Sequence, residues 1–300
     1  MARCDVGKRL DMTIYNLGSI NIDHVYRLPA LPRPGETLHA QSYAQGLGGK
    51  GANQSVAAAR AGADVVHLGA MAASDGWVLG RLAEAGVQTS AIARLPDIAT
   101  GHAIILVDTA GENSIVLHGG ANLALPAALA SGIGFGPDDI LLMQNETNLQ
   151  AETAALARRA GARVIYSAAP FSIAALREVL PHVSILSVNE IEARDTFAAF
   201  GEDLPVEGLL VTRGAEGAEF RDLRGGQAWH QPAFAVEAVD TTGAGDCFTG
   251  WFAAGLARGE NPPTALRHAA AAAALQVTRR GAGDAMPDRT EVLAFLKARG

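Results

Sequence analysis

The chain has 300 residues, of which 49 % are hydrophobic and 18 % are charged. A chain of this composition can bury a large core, which excludes extensive disorder, and its length suits two average domains or one large α/β domain. The net charge of −7 excludes a broad basic face for duplex DNA or an anionic membrane, but it does not exclude one pocket for a phosphorylated ligand.

The N-terminus and the cysteines bear on the location of the protein. Residues 1–11 are charged and carry no apolar segment, so we expect a disordered leader and not a secretory signal. No apolar run reaches the roughly 18 residues that a membrane span needs. Cys4 and Cys247 are the only cysteines, which excludes a disulfide framework and indicates a reducing compartment. We therefore expect a cytoplasmic protein that binds neither nucleic acid nor membranes.

The first half of the chain predicts alternating strands and helices that are interrupted at two places by β-rich segments. Apolar runs and helix-start signals predict the alternation, whereas prolines in one segment and a turn sequence in another favour short edge strands. The expected elements are a strand over residues 13–17, edge strands or a flap within 22–45, a helix from Lys50 to about Gly62, a strand over 65–68, a helix over about 75–85, and a hairpin of strands 102–107 and 114–117.

The second half resumes the alternation without a linker or an internal repeat. The expected elements are strands over 140–143, 163–166, 184–188 and 209–212, helices over about 150–160, 190–199, 243–257, 263–277 and 289–298, and two short β runs within 217–235. Short apolar strands that alternate with helices are typical of a mostly parallel sheet covered on both faces. We therefore expect a three-layer αβα protein: one domain over residues 12–300, with a small β-sheet lid from about 19–48 and 99–118.

A first glycine-rich motif, GLGGKGAN, spans residues 46–53. Its spacing matches a dinucleotide fingerprint, but the segment before it is not a buried strand, which disfavours that interpretation. It is not a Walker A loop either, because Lys50 is followed by Gly51 and not by Ser or Thr. A flexible turn that starts a helix is the alternative. The functional interpretation is a backbone close to a polar ligand, with Lys50 and Asn53 pointing at it from the first helical turn.

A second glycine-rich motif, DTTGAGD, spans residues 240–246 directly before a predicted helix. Glycines at a helix start leave N–H groups unpaired and aimed in one direction, and the helix dipole adds positive potential, so the motif predicts an anion site. An aspartate there can deprotonate a hydroxyl that attacks the bound anion. A helix cap is the alternative for the same residues. The acids on both sides of the glycines favour the catalytic interpretation.

The two motifs, in this order and separated by most of the chain, resemble the two signatures of the PfkB family of carbohydrate kinases. The similarity runs from about Tyr15 to Phe295 and includes further stretches such as NIDH at 21–24, GEN at 111–113 and NEIE at 189–192. The resemblance implies the αβα fold with its β lid and the ATP-dependent transfer of a γ-phosphoryl group to the terminal hydroxyl of D-ribose. It also implies Mg²⁺ as a cofactor, K⁺ as a candidate activator, and a homodimer formed through the lid.

The resemblance assigns roles to individual residues near the sugar and the transferred phosphate. The catalytic set is Asp246 as the base, with the backbone of Gly243, Ala244 and Gly245 as the anion hole. The sugar-binding set is Asn21, Asp23, Gly49, Lys50, Asn53 and Glu146. Amides and carboxylates suit paired hydroxyls, because a buried polar group left without its partner is costly. Taken alone, Asn21 and Asp23 are equally typical of a turn, and Glu146 of a solvated loop.

On the nucleotide side, the resemblance places residues around ATP, Mg²⁺ and a monovalent cation. The ATP-binding set is Asn189, Thr212, Gly214, Gly217 and His268. Glu192 orders water around Mg²⁺. The monovalent-cation set, in which backbone carbonyls do most of the coordination, is Asp240, Thr242, Gln276, Arg279 and Gly281. Two alternatives stay open: Asn189 and Glu192 have the spacing of a capping box, and His268 lies on an alanine-rich helix, where a histidine is more often simply packed.

The chain departs from the family pattern at three places. Residues 166–170 (YSAAP) replace the usual Asn-Pro-Ala-Pro run, Ala285 lies where a serine often stands near the monovalent cation, and the stretch between Asn189 and Thr212 is short by roughly one helix. These changes bear on nucleotide affinity and on K⁺ dependence.

The alternative functions are a PfkB kinase for a nucleoside, fructose or a related sugar, a non-catalytic sugar-binding protein on the same fold, and, more distantly, a dehydrogenase.

Overall fold

The computed structural model describes residues 12–299, so the leader predicted over residues 1–11 lies outside the described residues. The strands are β1 (Thr13–Leu17), β2 (Asn21–Arg27), β3 (Ser42–Gly48), β4 (Asp64–Ala72), β5 (Val87–Gln88), β6 (Ile92–Leu95), β7 (Gly101–Val107), β8 (Asn113–His118), β9 (Ile140–Gln144), β10 (Arg163–Ser167), β11 (Ile185–Asn189), β12 (Gly208–Thr212), β13 (Ala218–Asp222) and β14 (Gln227–Gln231). The α-helices are α1 (Lys50–Arg60), α2 (Trp77–Glu84), α3 (Ala127–Ser131), α4 (Gln150–Arg159), α5 (Ile173–Val179), α6 (Glu190–Phe200), α7 (Ala244–Ala257), α8 (Pro262–Gln276) and α9 (Arg289–Lys297).

The larger of two sheets has the strand order β14-β13-β12-β11-β10-β9-β1-β4-β5, with β6 paired to β4. The seven neighbouring strands β12, β11, β10, β9, β1, β4 and β5 pair in parallel, and β13 and β14 add an antiparallel edge next to β12. Side chains along β1 alternate between two apolar cores: Ile14 packs with α1, α7 and α8, whereas Tyr15 and Leu17 pack with α4 and α5. The mostly parallel sheet between two helical layers confirms the predicted three-layer αβα fold.

The lid is a separate four-stranded sheet with the order β3-β2-β7-β8. Its β7–β8 hairpin is the one that the sequence predicts. The lid begins shortly after β1 ends, and β3 leads directly into α1. The base of the lid therefore adjoins the carboxyl end of a central parallel strand, which is where α/β sheets commonly bind ligands.

Four short elements, β5, β6, α3 and α5, have no counterpart in the sequence prediction. They have two, four, five and seven residues, and segments of this length carry too little periodicity to identify.

Every helix within residues 12–299 is too short or too polar to cross a membrane.

Candidate active site

The first glycine-rich motif brings α1 against the loop that follows β1. Gly49 precedes the helix and has a φ of 91°, a conformation that residues with a Cβ rarely adopt. A Cβ on Gly51 would lie 2.3 Å from the backbone nitrogen of Ser19 and 2.4 Å from the Cα of Gly18. Glycine at these two positions therefore lets the N-terminus of α1, with Lys50, reach the base of the lid.

The Glu146 carboxylate lies against this helix N-terminus. Its Oε2 accepts hydrogen bonds from the backbone N–H of Lys50, at 3.1 Å, and from the hydroxyl of Ser19. The Ser19 Oγ also accepts a hydrogen bond from the N–H of Gly51, at 3.2 Å. Negative charge is favourable at a helix N-terminus because of the helix dipole. Ser19, which is not in the predicted set, thus ties Glu146 to the first turn of α1.

The base of the lid supplies an amide and a carboxylate. Asn21 Oδ1 accepts a hydrogen bond from Asn122 Nδ2, at 2.7 Å. The Asp23 carboxylate lies over Gly48, where a Cβ would come within 2.2 Å of it. Burial raises the pKa of Asp23 to about 6, and the nearby charge of Glu146 adds to the shift. The lid therefore brings together groups that can accept hydrogen bonds from paired hydroxyls.

The second glycine-rich motif ends at α7 and places Asp246 in the first turn of that helix. Gly243, directly before the helix, has a φ of 79°, and a Cβ there would come within 2.9 Å of the Ala282 Cβ. The first N–H groups of an α-helix have no partner within the helix, and the dipole makes that end positive. The turn is therefore a candidate for the predicted anion site, although the N–H of Ala244 donates to the carbonyl oxygen of Thr241 at 3.2 Å.

The buried carboxylate of Asp246 joins the two motifs. Asn53 Nδ2 donates to its Oδ2 at 3.1 Å, and Gln54 Nε2 donates to its Oδ1 at 2.9 Å. Asn53 and Asp246 are 193 residues apart in the chain. Burial raises the pKa of Asp246 above its usual value, although the charge of Lys50 and the two amide hydrogen bonds oppose the shift. A carboxylate with a raised pKa is a stronger base than a free aspartate.

Gln54 is a site residue that the sequence analysis missed. It is completely buried, and its Oε1 accepts a hydrogen bond from Gln144 Nε2 at 2.7 Å. The same nitrogen donates to Asn16 Oδ1 at 2.9 Å. Because each group is held by the next, this chain of hydrogen bonds orients Gln54 towards Asp246. Its signal in the sequence is slight, since one glutamine after Asn53 has no distinctive spacing.

The same network ends at a neutral histidine below the loop after β1. Asn16 Nδ2 donates to the Ser55 Oγ at 2.8 Å. His67 Nε2 donates to the carbonyl oxygen of Gly18 at 3.2 Å, so its Nδ1 accepts from the Ser55 hydroxyl at 2.8 Å. Complete burial lowers the pKa of His67 to about 4, which keeps the ring neutral at pH 7. His67 is therefore a neutral member of the network that holds Asp246.

A cavity of about 510 Å³ opens beside the N-terminus of α7. Thr212, Gly214 and Gly217 of the predicted ATP-binding set line part of it, as do Ala244 and Gly245 of the predicted anion hole. Its apolar lining includes Phe234, Val236, Ala270, Ala273, Ala274 and Val277. An apolar cavity with an anion site at its edge suits a nucleotide, whose base is flat and whose phosphates are charged.

Two residues of the predicted ATP-binding set do not line this cavity. The Nδ1 of His268 lies 2.9 Å from Glu260 Oε2, so the structure directs this ring to a carboxylate and not to the cavity.

Asn189 and Glu192 form a capping box, which the sequence analysis named as the alternative to their binding roles. Asn189 Oδ1 accepts from the N–H of Glu192 at 2.9 Å, and Glu192 Oε2 accepts from the N–H of Asn189 at 2.8 Å.

The capping box is compatible with the predicted role of Glu192 beside Mg²⁺. The box engages Oε2 of the carboxylate, and Oε1 is a second acceptor that can hold a metal-bound water. Mg²⁺ usually keeps several waters and binds substrate phosphates instead of a full protein cage. Residues 12–299 contain no group of three or more His, Cys, Asp or Glu side chains that could hold a metal ion.

The carbonyls predicted to bind a monovalent cation meet at the end of α8, but an amide lies between them. Gln276 Nε2 donates to the carbonyl oxygens of Thr242, at 2.7 Å, and Gly281, at 3.0 Å. Ala285, close by in the chain, is buried and has no side-chain oxygen. As arranged, these residues do not fit a monovalent cation between the two carbonyls.

The two charged residues of this set have other partners. Asp240 accepts hydrogen bonds from the N–H groups of Thr242, at 2.9 Å, and Gly281, at 3.0 Å. The Arg279 guanidinium pairs with the Glu291 carboxylate of α9. The set is therefore brought together in space: Asp240 and Gln276 bond to the backbone of other members, and Arg279 bonds to α9. The Oε1 of Gln276 is buried and has no hydrogen-bond partner among the described residues.

Comparison with known proteins agrees with this geometry. A sequence profile described as "pfkB family carbohydrate kinase" matches residues 13–289. The chain is 38 % identical over 304 residues to a ribokinase of Haemophilus influenzae, a match that covers 95 % of this chain and 98 % of that protein. It is similar to the solved structure of Arabidopsis thaliana ribokinase complexed with ribose and ATP, with 31 % identity, a TM-score of 0.83 and coverage of 96 % and 99 %. It is also similar to a ribokinase from Cryptococcus neoformans in complex with ADP, with 34 % identity, a TM-score of 0.81 and coverage of 95 % and 99 %. The chain belongs to the PfkB family of carbohydrate kinases.

Proposed function

We propose that this protein transfers the γ-phosphoryl group of ATP to the terminal hydroxyl of D-ribose, which gives ribose 5-phosphate and ADP. The observation that carries the proposal is the position of Asp246. This buried acid lies in the first turn of the helix that borders the nucleotide-sized cavity, and Asn53 and Gln54 hold it from the helix that starts at the base of the lid. One carboxylate thus lies between a site for hydroxyls and a site for phosphates, and the similarity to ribokinases supports ribose as the acceptor.

The sugar is held by the side chains at the lid in this proposal. The set is Asn21, Asp23, Gly49, Lys50, Asn53 and Glu146. The Oδ1 of Asn53 is buried and has no hydrogen-bond partner among the described residues. A buried acceptor without a donor costs free energy, and a sugar hydroxyl that donates to it would recover that cost. Asn53 therefore offers one atom to the sugar while its Nδ2 holds Asp246.

The phosphoryl transfer takes place at the start of α7. Asp246 accepts the proton of the terminal hydroxyl as that oxygen bonds to the γ-phosphorus, and the bond from phosphorus to the leaving oxygen of ADP breaks. Backbone N–H groups of Gly243, Ala244 and Gly245 stabilise the negative charge. The lid covers the sugar and excludes water, which limits wasteful ATP hydrolysis.

The nucleotide occupies the cavity beside α7. Thr212, Gly214 and Gly217 contact it there, and Asn189 orients the phosphate side. Mg²⁺, when bound, offsets the phosphate charge. Glu192 holds the waters of that ion.

The release of ADP with a panel of acceptors tests the proposed function. With D-ribose, fructose, adenosine and pseudouridine compared, ribose is expected to give the highest kcat/KM, with the phosphate on the terminal oxygen. A higher kcat/KM for a nucleoside or for fructose would assign the chain to that acceptor instead. Ribose binding by calorimetry without ADP release from any acceptor would favour the non-catalytic alternative.

Replacing Asp23 with asparagine is expected to stabilise the sugar-free protein near pH 7.5 and to weaken ribose binding. The folded-state pKa of about 6 lies above the ordinary 3.8. The stability that Asp23 contributes is therefore fully present below 3.8 and is lost as the pH rises through about 6. Asparagine removes the buried charge, so Tm is expected to rise at pH 7.5 and to rise less at pH 5.

The same substitution removes a charged acceptor from the sugar site. Hydrogen bonds to charged groups contribute about 1.5–3 kcal/mol, so KM for ribose is expected to rise roughly 10–100-fold. Thermal unfolding at the two pH values and steady-state kinetics measure both effects. A lower Tm at pH 7.5 together with an unchanged KM would contradict the place of Asp23 in the sugar site.

We further propose that two copies of this cytoplasmic kinase pair through their lids. Ile115, Val116 and Leu117 of β8 are 52 %, 62 % and 60 % exposed, and Tyr43 and Ile104 of the same sheet are also exposed. Because side chains alternate along a strand, Ile115 and Leu117 lie on one face of the lid, and Val116 lies on the other face with Ile104 and Tyr43. Exposed apolar side chains on an edge strand are typical of an interaction surface. Together with the family resemblance, this edge strand supports a second copy as the occupant.

Sedimentation of a lid variant tests the dimer. The wild-type chain is expected to sediment as a dimer, and a variant with both Ile115→Glu and Leu117→Glu as a monomer, because two charges would be buried without partners. The control is Ile191→Glu on α6, where the side chain is 62 % exposed outside the lid, and this variant is expected to stay dimeric. A dimeric double variant would contradict pairing through this strand.

A further inference from the structure

The side-chain amide of Gln276 occupies the place that the family resemblance gives to a monovalent cation. Gln276 is the last residue of α8 and is completely buried. Its Nε2 lies 2.7 Å from the carbonyl oxygen of Thr242 and 3.0 Å from that of Gly281. Without a cation, this orientation of the amide is the favourable one, because Oε1 turned to the same position would face two carbonyl oxygens with no proton between them.

The side-chain N–H₂ group of Gln276 is satisfied, whereas its Oε1 is buried without a hydrogen-bond partner among the described residues. The two N–H bonds of the amide match the two carbonyl acceptors in number. Asp240 accepts hydrogen bonds from the N–H groups of Thr242, at 2.9 Å, and Gly281, at 3.0 Å. These are the same two residues whose carbonyl oxygens accept from Gln276. The two side chains together clamp the segment at Thr242 to the segment at Gly281.

This clamp acts on the anion site because of its position in the chain. Thr242 directly precedes Gly243, the residue before α7, and Gly281 directly precedes Ala282, the residue against which Gly243 packs. Holding Thr242 and Gly281 at a constant separation therefore holds the turn whose N–H groups face the transferred phosphoryl group. A cation between the same carbonyls would hold the turn in the same way, but it would have to bind from solution.

We propose that the Gln276 amide replaces the monovalent cation in this protein, so that the phosphate-binding turn is held by an internal donor and does not need K⁺. The partial positive charge of the N–H₂ group faces the two carbonyls and is covalently attached, so no ion-binding equilibrium limits the active form. The proposal goes beyond the proposed function and uses it for one of its two readouts.

The first readout is ADP release from ribose at about 0.1 M salt, in K⁺ or in a bulky organic cation at the same ionic strength. The wild-type rate is expected to differ by less than about twofold, since K⁺ has no site to occupy. The Gln276→Ala variant leaves both carbonyls without a donor. Loss of hydrogen bonding of about 1.4 kcal/mol corresponds to a roughly tenfold loss in the organic cation, which K⁺ is expected to restore.

The second readout is thermal unfolding in the same two salts, which does not depend on activity. A cation that binds the folded state raises Tm, so K⁺ is expected to raise the Tm of Gln276→Ala and to leave the wild-type Tm unchanged. The control is Gln227→Ala, at an exposed glutamine of β14, which is expected to behave as wild type in both readouts.

Two results would overturn the proposal: a wild-type rate or Tm that rises clearly and specifically with K⁺, or a Gln276→Ala variant that ignores K⁺ in both readouts. If Gln276→Ala does not fold, the wild-type comparison decides by itself. A chain that releases no ADP from any sugar would refute the proposed function, while the wild-type Tm would still decide whether K⁺ binds.

Discussion

Replacing Asp246 with asparagine is expected to lower kcat by on the order of 10²–10⁴-fold with little change in the fold, because a positioned general base contributes about this much. The asparagine amide has nearly the same shape as the carboxylate but cannot accept a proton at neutral pH. The Asn53 and Gln54 amides donate to its two oxygens at 3.1 Å and 2.9 Å, so one of these hydrogen bonds persists. The other is recovered if the Asn53 amide turns and its Oδ1, which has no partner among the described residues, accepts from the new N–H₂ group. ADP release measures the loss, and circular dichroism with thermal unfolding tests the fold.

The pH dependence of the wild-type enzyme carries the same assignment. Asp246 must be deprotonated to accept a proton, and burial raises its pKa. As the pH falls, kcat is therefore expected to decline at a higher pH than a free aspartate would give. The control is Asp195→Asn, at a side chain that is 46 % exposed and 3.6 Å from Arg194, which is expected to leave kcat unchanged. Near-normal turnover of Asp246→Asn would refute the role of base.

Replacing Gly51 with alanine is expected to destabilise the protein by about 3 kcal/mol or more and to abolish measurable kinase activity. Overpacking typically costs 1–3 kcal/mol, and about 3 or more is expected where no side chain can move aside. The new Cβ would lie 2.3–2.4 Å from backbone atoms of Gly18 and Ser19. Relief requires α1 to move away from the loop after β1, which would separate Lys50 from Glu146.

Gly46 of the same motif is the matched control for Gly51. A Cβ on Gly46 would meet no atom within 4 Å, so Gly46→Ala is expected to keep nearly wild-type stability and activity. Urea unfolding of both variants gives the two free energies, and ADP release gives the two rates. Equal stability of the two variants would show that α1 does not need its close approach to the loop.

The order of strands and helices could be predicted because the core of this fold is built from short apolar strands and longer helices. Strand β1 was predicted with its observed bounds, and the β7–β8 hairpin within one residue at each end. The bounds of β4 were not predicted: it extends to Ala72, beyond the apolar run at 65–68. Its last residues, Gly69–Ala72, pair with β6, Ile92–Leu95, and pairing between distant segments leaves no local signal in the sequence.

In the candidate site, too, features set by neighbouring residues could be predicted from the sequence, whereas contacts between residues far apart in the chain could not. The anion turn before Asp246 could be predicted because glycines and a helix start are neighbours in the chain. The contacts of Gln54 and Gln144 could not, because amides separated by 90 residues become partners only when α1 packs across the end of β9. The amide of Gln276 was grouped with the cation ligands by resemblance, and its donor role depends on where Thr242 and Gly281 meet.

The side chains that hold Asp246 belong to α1 and not to the lid. The strands of the lid contact the sugar in the proposed function, whereas the proton acceptor is oriented by Asn53 and Gln54 of a helix packed into the body of the protein. Choice of acceptor and transfer of the proton are therefore carried in large part by different elements, and Asn53 of α1 takes part in both. Lid strands taken from a relative with another acceptor could be grafted onto this body, and the grafted enzyme would keep its base in place.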